Sequence, residues 1–165
     1  MGWRRGELMS GEVLLAVDVG LRCGLAGYGA DGRLLWYRSR NFGTSSRLKK
    51  RVRGLLHQLS SLELVVLEGG GSLARHWVAE CRRRGIGVME ISAEDWRRDL
   101  LHSRDRRSGA DAKQSADVLA RRVIEWAEAP KPTSLRHDAA EAILVGLWAA
   151  HEVGLLTELP SWLPS

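Results

Sequence analysis

Apolar residues fill Val13 to Val19 with Asp18 as the one interruption, the pattern of a strand covered on both faces. Gly20 and Gly24 mark its exit. Positions 24–29 and 33–38 read as two further strands, and Asp31-Gly32 between them is a hairpin turn signal. The chain is therefore expected to open on a three-strand antiparallel meander. From Arg47 to Leu59, the residues Leu48, Val52, Leu55, Leu56 and Leu59 recur at helical spacing, with Lys49, Lys50 and Arg51 mostly off that stripe. Leu62 to Leu67 predicts another buried strand, closed by Glu68 and then Gly69-Gly70-Gly71. Leu73 to Arg84 predicts a helix stopped by Gly85, and Gly87 to Ile91 a short strand. That strand–helix–strand unit implies a parallel pair with a right-handed crossover. In Ala112 to Trp126 one face carries Ala116, Leu119, Ala120, Val123 and Ile124, and Pro130 and Pro132 end the helix. Arg136 to His151 predicts a last helix, apolar on nearly all sides. The fold class that follows is α/β: one five-stranded mixed sheet, an antiparallel meander plus parallel strands, flanked by helices.

Length changes this picture little. With 165 residues the chain suits one domain, expected over 12–154, between a flexible leader at 1–11 and an irregular tail at 155–165 that contains Pro160 and Pro164. Charged residues at 27% and hydrophobic residues at 44% argue against wholesale disorder. No uncharged apolar run reaches the ~18 residues of a membrane span, and the N-terminal stretch lacks a signal-peptide pattern. Cys23 and Cys81 form neither a metal pattern nor a disulfide framework, so a reducing cytoplasm and no membrane association are expected.

Charge says more. Twenty-five Lys and Arg stand against twenty Asp and Glu, a formal net charge of +5. The bases cluster at Arg47 to Arg53, at Arg82 to Arg84 and from Arg97 to Arg107. A solvated helix face accounts for any one cluster, but together they favour a polyanionic partner such as nucleic acid, with Lys49 and Lys50 among the candidate contacts.

Four carboxylates fall at element ends. Asp18 closes the first strand and Glu68 the fourth. If those strands are parallel neighbours, both acids emerge side by side at the edge where open α/β sheets bind ligands. Asp138 and Glu141 share a face of the last helix, in its first turns, beside His137. No lysine or arginine inside these elements is placed to neutralise them, although Arg136 is close in sequence. Singly, each has a plain reading: a turn for Asp18, a loop carboxylate for Glu68, a helix start for Asp138, an arginine pair for Glu141, an exposed histidine for His137. Jointly, converging carboxylates call for a hard divalent metal. Two Mg²⁺ ions at such a site can hydrolyse a phosphodiester while arginines hold the phosphates.

These residues resemble a known family. Leu14-Leu15-Ala16-Val17-Asp18-Val19-Gly20, the meander, Val65-Val66-Leu67-Glu68 and His137-Asp138-Ala139-Ala140-Glu141-Ala142 are similar to the RuvC Holliday-junction resolvases, within the ribonuclease H-like nucleases. The resemblance spans about Leu14 to His151. It implies a ribonuclease H-like sheet, a homodimer, two Mg²⁺ ions with Mn²⁺ as substitute, and paired nicking of four-way DNA junctions. Asp18, Glu68, Asp138 and Glu141 then match the metal ligands, with His137 as an alternative to Asp138. From Trp96 to Ala116 the family pattern is a helix, a basic loop and an Ala-Asp-…-Gln start to the next helix, here Ala110-Asp111-Ala112-Lys113-Gln114. That makes Lys113 the candidate basic group near the scissile phosphate, and Arg104, Arg106 and Arg107 candidate DNA-backbone contacts.

Four features depart from the family. Glu141 stands where it normally has aspartate, Val19 where proline is frequent, and Lys113 one residue later than usual. Gly69-Gly70-Gly71-Ser72 replaces a loop that usually carries a stacking aromatic. The expected function is a metal-dependent, structure-selective DNA endonuclease resolving four-way junctions. The alternatives are an RNA-processing nuclease of the RuvX/YqgF group, or a nuclease of broader branched-DNA range. An actin-like ATPase needs a longer, two-domain chain. A binding module without catalysis would gain nothing from four acids that repel phosphate.

Overall fold

The computed structural model describes residues 11–164, so positions 1–10 of the expected leader lie outside the described residues. Five strands form one sheet: β1 (Glu12–Asp18), β2 (Arg22–Gly29), β3 (Leu34–Asn41), β4 (Leu64–Glu68) and β5 (Gly87–Ile91). Their order is β3-β2-β1-β4-β5. The meander β1-β2-β3 is antiparallel, and β4 and β5 join β1 in parallel. The helices are α1 (Ser45–Gln58), α2 (Ser72–Arg84), α3 (Ala93–Leu100), α4 (Gly109–Ala127) and α5 (His137–Glu152).

Strand alternation divides the core into two halves. Leu14, Ala16 and Val66 pack with α3, α4 and α5 on one side of the sheet. Leu15, Val17, Val65 and Leu67 pack with α1 and α2 on the other. Each fully buried leucine contributes about 1.5–3 kcal/mol of transfer free energy. Helix α5 is buried from Ala139 to Ala150 without a break, which explains why its sequence lacks a polar face.

Two glycines fix how α5 sits. A Cβ on Gly24 would lie 1.8 Å from the Asp138 carbonyl oxygen, so only glycine lets the helix start rest on β2. A Cβ on Gly146 would lie 2.1 Å from the Tyr28 ring. The buried Tyr28 hydroxyl donates to the Ile143 carbonyl, locking α5 to the sheet.

The structure adds what hydropathy left unmarked. Residues 93–100 form α3, opened by a capping box in which Ser92 and Asp95 satisfy each other's backbone. This helix is too short for periodicity to reveal, and only the family pattern placed one there. A 3-10 turn follows at Ser103–Arg106. Helix α4 starts at Gly109, three residues earlier than its apolar stripe, because the Ser108 side chain accepts from Asp111 N. Residues 155–164 contain no helix or strand, yet they are anchored. Arg122 donates to the Trp162 carbonyl at 3.3 Å, and its guanidinium lies 4.5 Å over that indole. Among the described residues no helix is long and apolar enough to cross a membrane.

Candidate active site

Asp18 and Glu68 are register partners across the parallel β1–β4 pair. The Val19 amide donates to the Glu68 carbonyl at 3.0 Å and holds the two strand ends level. Asp18 has the parity of Leu14 and Ala16, and Glu68 that of Val66, so both acids belong to the α5 side of the sheet. Glu141 comes down from α5 to meet them. One carboxylate oxygen from each of Asp18, Glu68 and Glu141 lies within 4.8 Å of the others.

The electrostatics follow from that crowding. Burial, then the charges of Glu141 and Glu68, push the Asp18 carboxyl up to about 8. Glu68 is also raised, by burial first and by Glu141 second, while hydrogen bonds from Trp96 and Asp18 oppose the shift. Both carboxyls are thus held above their ordinary range by burial and by the neighbouring acids.

Helix α3 braces the site. Trp96, fully buried, directs its indole N–H to Glu68 Oε1 at 3.5 Å. Arg97 Nη2 donates to Glu141 Oε1 at 2.8 Å, and His137 Nε2 lies 3.1 Å from the same oxygen. The base that neutralises Glu141 is Arg97, from outside the elements that carry the acids, and this is the arginine pair that the plain reading of Glu141 allowed. It went unseen because it comes from a different element. The available signal was its place one turn into a helix that starts just after β5, at the same sheet edge as Glu68.

The other candidates lie elsewhere. Asp138 is not one of the three clustered acids: its Oδ2 accepts from Ser39 Oγ at 2.9 Å and its Oδ1 from Ala139 N at 2.7 Å. Its negative charge still contributes to raising Asp18. His137 meets the cluster at Glu141. Lys113 stands exposed near the start of α4. Arg104 lies 3.9 Å from Asp105, Arg106 lies 3.7 Å from Glu94, and Arg107 is exposed. Lys49 and Lys50 are exposed on α1, on the opposite face of the sheet. Trp77 is fully buried between the sheet and α1–α2, unable to stack on a base.

The donor set fits a hard divalent cation. Three carboxylates from three elements are crowded together against one guanidinium, and burial with this crowding holds the Asp18 carboxyl well above its ordinary range. A cation there would return Asp18 to its charged form.

No family model and no curated protein matches the sequence. Among solved structures the chain is similar to T. thermophilus RuvC in complex with a Holliday junction substrate. The TM-score is 0.63 and the identity 18%, over 87% of this chain and 96% of that one. The simian T-cell lymphotropic virus intasome with PP2A regulatory subunit B56 gamma aligns at a TM-score of 0.31 and 12% identity, over 86% of this chain and 49% of that one, too weakly to bear on the fold. The fold is thus RuvC-type, ribonuclease H-like, as the sequence motifs led one to expect.

Proposed function

We propose that the protein is a divalent-metal-dependent DNA endonuclease that resolves four-way junctions by paired phosphodiester hydrolysis, acting as a homodimer. The convergence of Asp18, Glu68 and Glu141 at the carboxyl edge of a RuvC-type sheet supports this reading. The structural neighbour was itself captured on a Holliday junction.

Asp18, Glu68 and Glu141 are the residues that would hold Mg²⁺ or Mn²⁺, with Asp138 or His137 completing the set. When bound, such ions supply an activated water and charge stabilisation for the leaving oxygen. The protein's part is orientation. Trp96 fixes Glu68, Arg97 fixes Glu141, and Ser39 holds Asp138 at the start of α5. Helix α5 places its positive N-terminal end at the same edge, which favours an approaching phosphate. Lys113, Arg104, Arg106 and Arg107 are assigned to the DNA backbone on this reading, Lys113 nearest the scissile phosphate.

The test is cleavage of end-labelled four-way junction, flap, duplex and structured RNA with Mg²⁺ or Mn²⁺, with Asp18→Asn as control. Symmetric paired nicks in the junction alone are expected. Equal cutting of every branched DNA would move the function to a broader nuclease, and the exposed Gly69-Gly70-Gly71 loop, without an aromatic, is the feature that favours that second reading. Cutting of RNA alone would move it to RNA processing.

A further inference from the structure

The net charge of the molecule is unevenly spread. Helices α1 and α2 carry nine cations: Arg47, Lys49, Lys50, Arg51 and Arg53 on the first, and Arg75, Arg82, Arg83 and Arg84 on the second. Against them stands one carboxylate, Glu80, giving +8 for the pair. Subtracting these from the chain's 25 bases and 20 acids leaves 16 against 19, or −3 for everything else. The positive charge of the protein therefore belongs to one helical layer, on the face of the sheet away from α5.

That layer is organised. Glu80 is buried and gathers Arg84 at 2.9 Å, Arg83 at 3.5 Å and Arg53 at 3.9 Å, so one acid ties the two helices together and still leaves the surface strongly positive. Both helices start four residues after a strand that ends at the edge bearing Asp18 and Glu68, namely β3 and β4. They run side by side away from it, and Ser45 Oγ meets His76 Nε2 at 2.9 Å between their first turns. A helix of 13 or 14 residues is about 20 Å long, which equals about six base pairs at 3.4 Å each.

We propose that the α1–α2 layer is a backbone track for a duplex arm, carrying about six base pairs away from the cleavage edge. This deepens the nuclease reading and rests on it for the position of the scissile bond. The partner is a double-stranded nucleic acid bound through phosphates, without base readout. A second copy of this chain is a poor occupant, because nine cations would face nine cations. Arg47 and Arg75 lie at the end near the catalytic acids, Lys49 and Lys50 about a third of the way along α1, Arg53 beyond its middle, and Arg82, Arg83 and Arg84 at the far end of α2.

The test uses Lys49→Gln/Lys50→Gln/Arg82→Gln, three exposed positions that leave the Glu80 cluster intact. Arg121→Gln on α4 is the control, since that arginine sits on the opposite layer paired with Asp117. Binding to a 20-base-pair duplex and to a long-armed junction is followed against KCl in EDTA, with hydroxyl-radical footprints on the junction. The triple variant should reduce the salt slope by up to about 2.7, at about 0.9 per lost phosphate contact. It should also lose protection about two to five base pairs along the track from the cleavage edge, where Lys49, Lys50 and Arg82 fall at ~1.5 Å per residue, while the control keeps both. An unchanged slope and footprint in the triple variant would overturn the track. Metal-dependent cleavage by the wild type is scored separately: a track without cleavage sinks the nuclease reading alone, and cleavage without a track sinks this inference alone.

Discussion

Asp18 and Glu68 face each other across adjacent parallel strands, and burial together with the neighbouring acids raises both carboxyls above their ordinary range. Two carboxylates so placed, Glu68 buried and Asp18 half-buried, are costly to ionise together. The same cost makes the site receptive to a divalent cation, which would favour the charged carboxylates.

Asp18→Asn should abolish metal-dependent cleavage while leaving junction binding intact or tighter, because one negative charge facing the phosphates is gone. Gel-shift and cleavage assays on the same junction check this. Wild-type cleavage by the variant would exclude Asp18 as a ligand.

The pH dependence of stability carries a definite sign. The Asp18 carboxyl rises from 3.8 to about 8 in the fold, so the folded state holds a proton that the unfolded chain releases. The stability linked to this group is full below about pH 4 and is lost as pH rises toward about 8. In EDTA, Asp18→Asn should therefore melt above the wild type, by a margin that grows from pH 5 to pH 8. Added Mg²⁺ should stabilise the wild type more at pH 8 than at pH 5. Melting curves with margins independent of pH would contradict the crowded-acid picture.

Arg97 compensates a carboxylate that is 6% exposed, so removing it leaves Glu141 buried without its strongest partner. Arg97→Gln should lower metal-free stability by about 3 kcal/mol, in the range for breaking a buried ion pair. With one fewer cation competing at Glu141, Mn²⁺ should bind more tightly and recover much of that loss. Calorimetric titration with Mn²⁺ and urea denaturation with and without it measure the two effects. Weaker Mn²⁺ binding would mean that Arg97 organises the site more than it competes for it.

Gly24→Ala should be among the most damaging single methyl additions. The new Cβ meets the Asp138 carbonyl oxygen at 1.8 Å, and the backbone on both sides is held by the sheet and by α5. Helix α5 must lift from β2, costing about 3 kcal/mol and displacing Glu141. Denaturant melts and Mn²⁺ affinity should fall together. A variant of native stability would mean that the helix start is not held as described.

The two thiols should be inert in the folded protein. Burial pushes Cys23 up to about 12 and Cys81 up to about 11, and neither forms a disulfide. A thiol reagent at pH 8 should label neither until the protein is unfolded.

Sequence by itself determined the strands and most of the helices, because buried strands advertise themselves as apolar runs and amphipathic helices as stripes. It also marked Asp18, Glu68 and Glu141, since a carboxylate closing an apolar strand, or set one turn into an apolar helix, is conspicuous. It could not assemble them. Which strands are neighbours, and in what register, depends on pairing between segments some fifty residues apart, so the Asp18–Glu68 contact existed only as a condition on topology. Arg97 and Trp96 were out of reach for the same reason: a short helix without a clear stripe reaches the acids only because β5 delivers it to their edge. Asp138 illustrates the reverse. Its spacing from Glu141 put it on a shared face, but Ser39, from the meander's last strand, offered its carboxylate a hydrogen bond that no local pattern could foretell. Local chemistry selects the residues that can act, whereas long-range packing decides which of them meet.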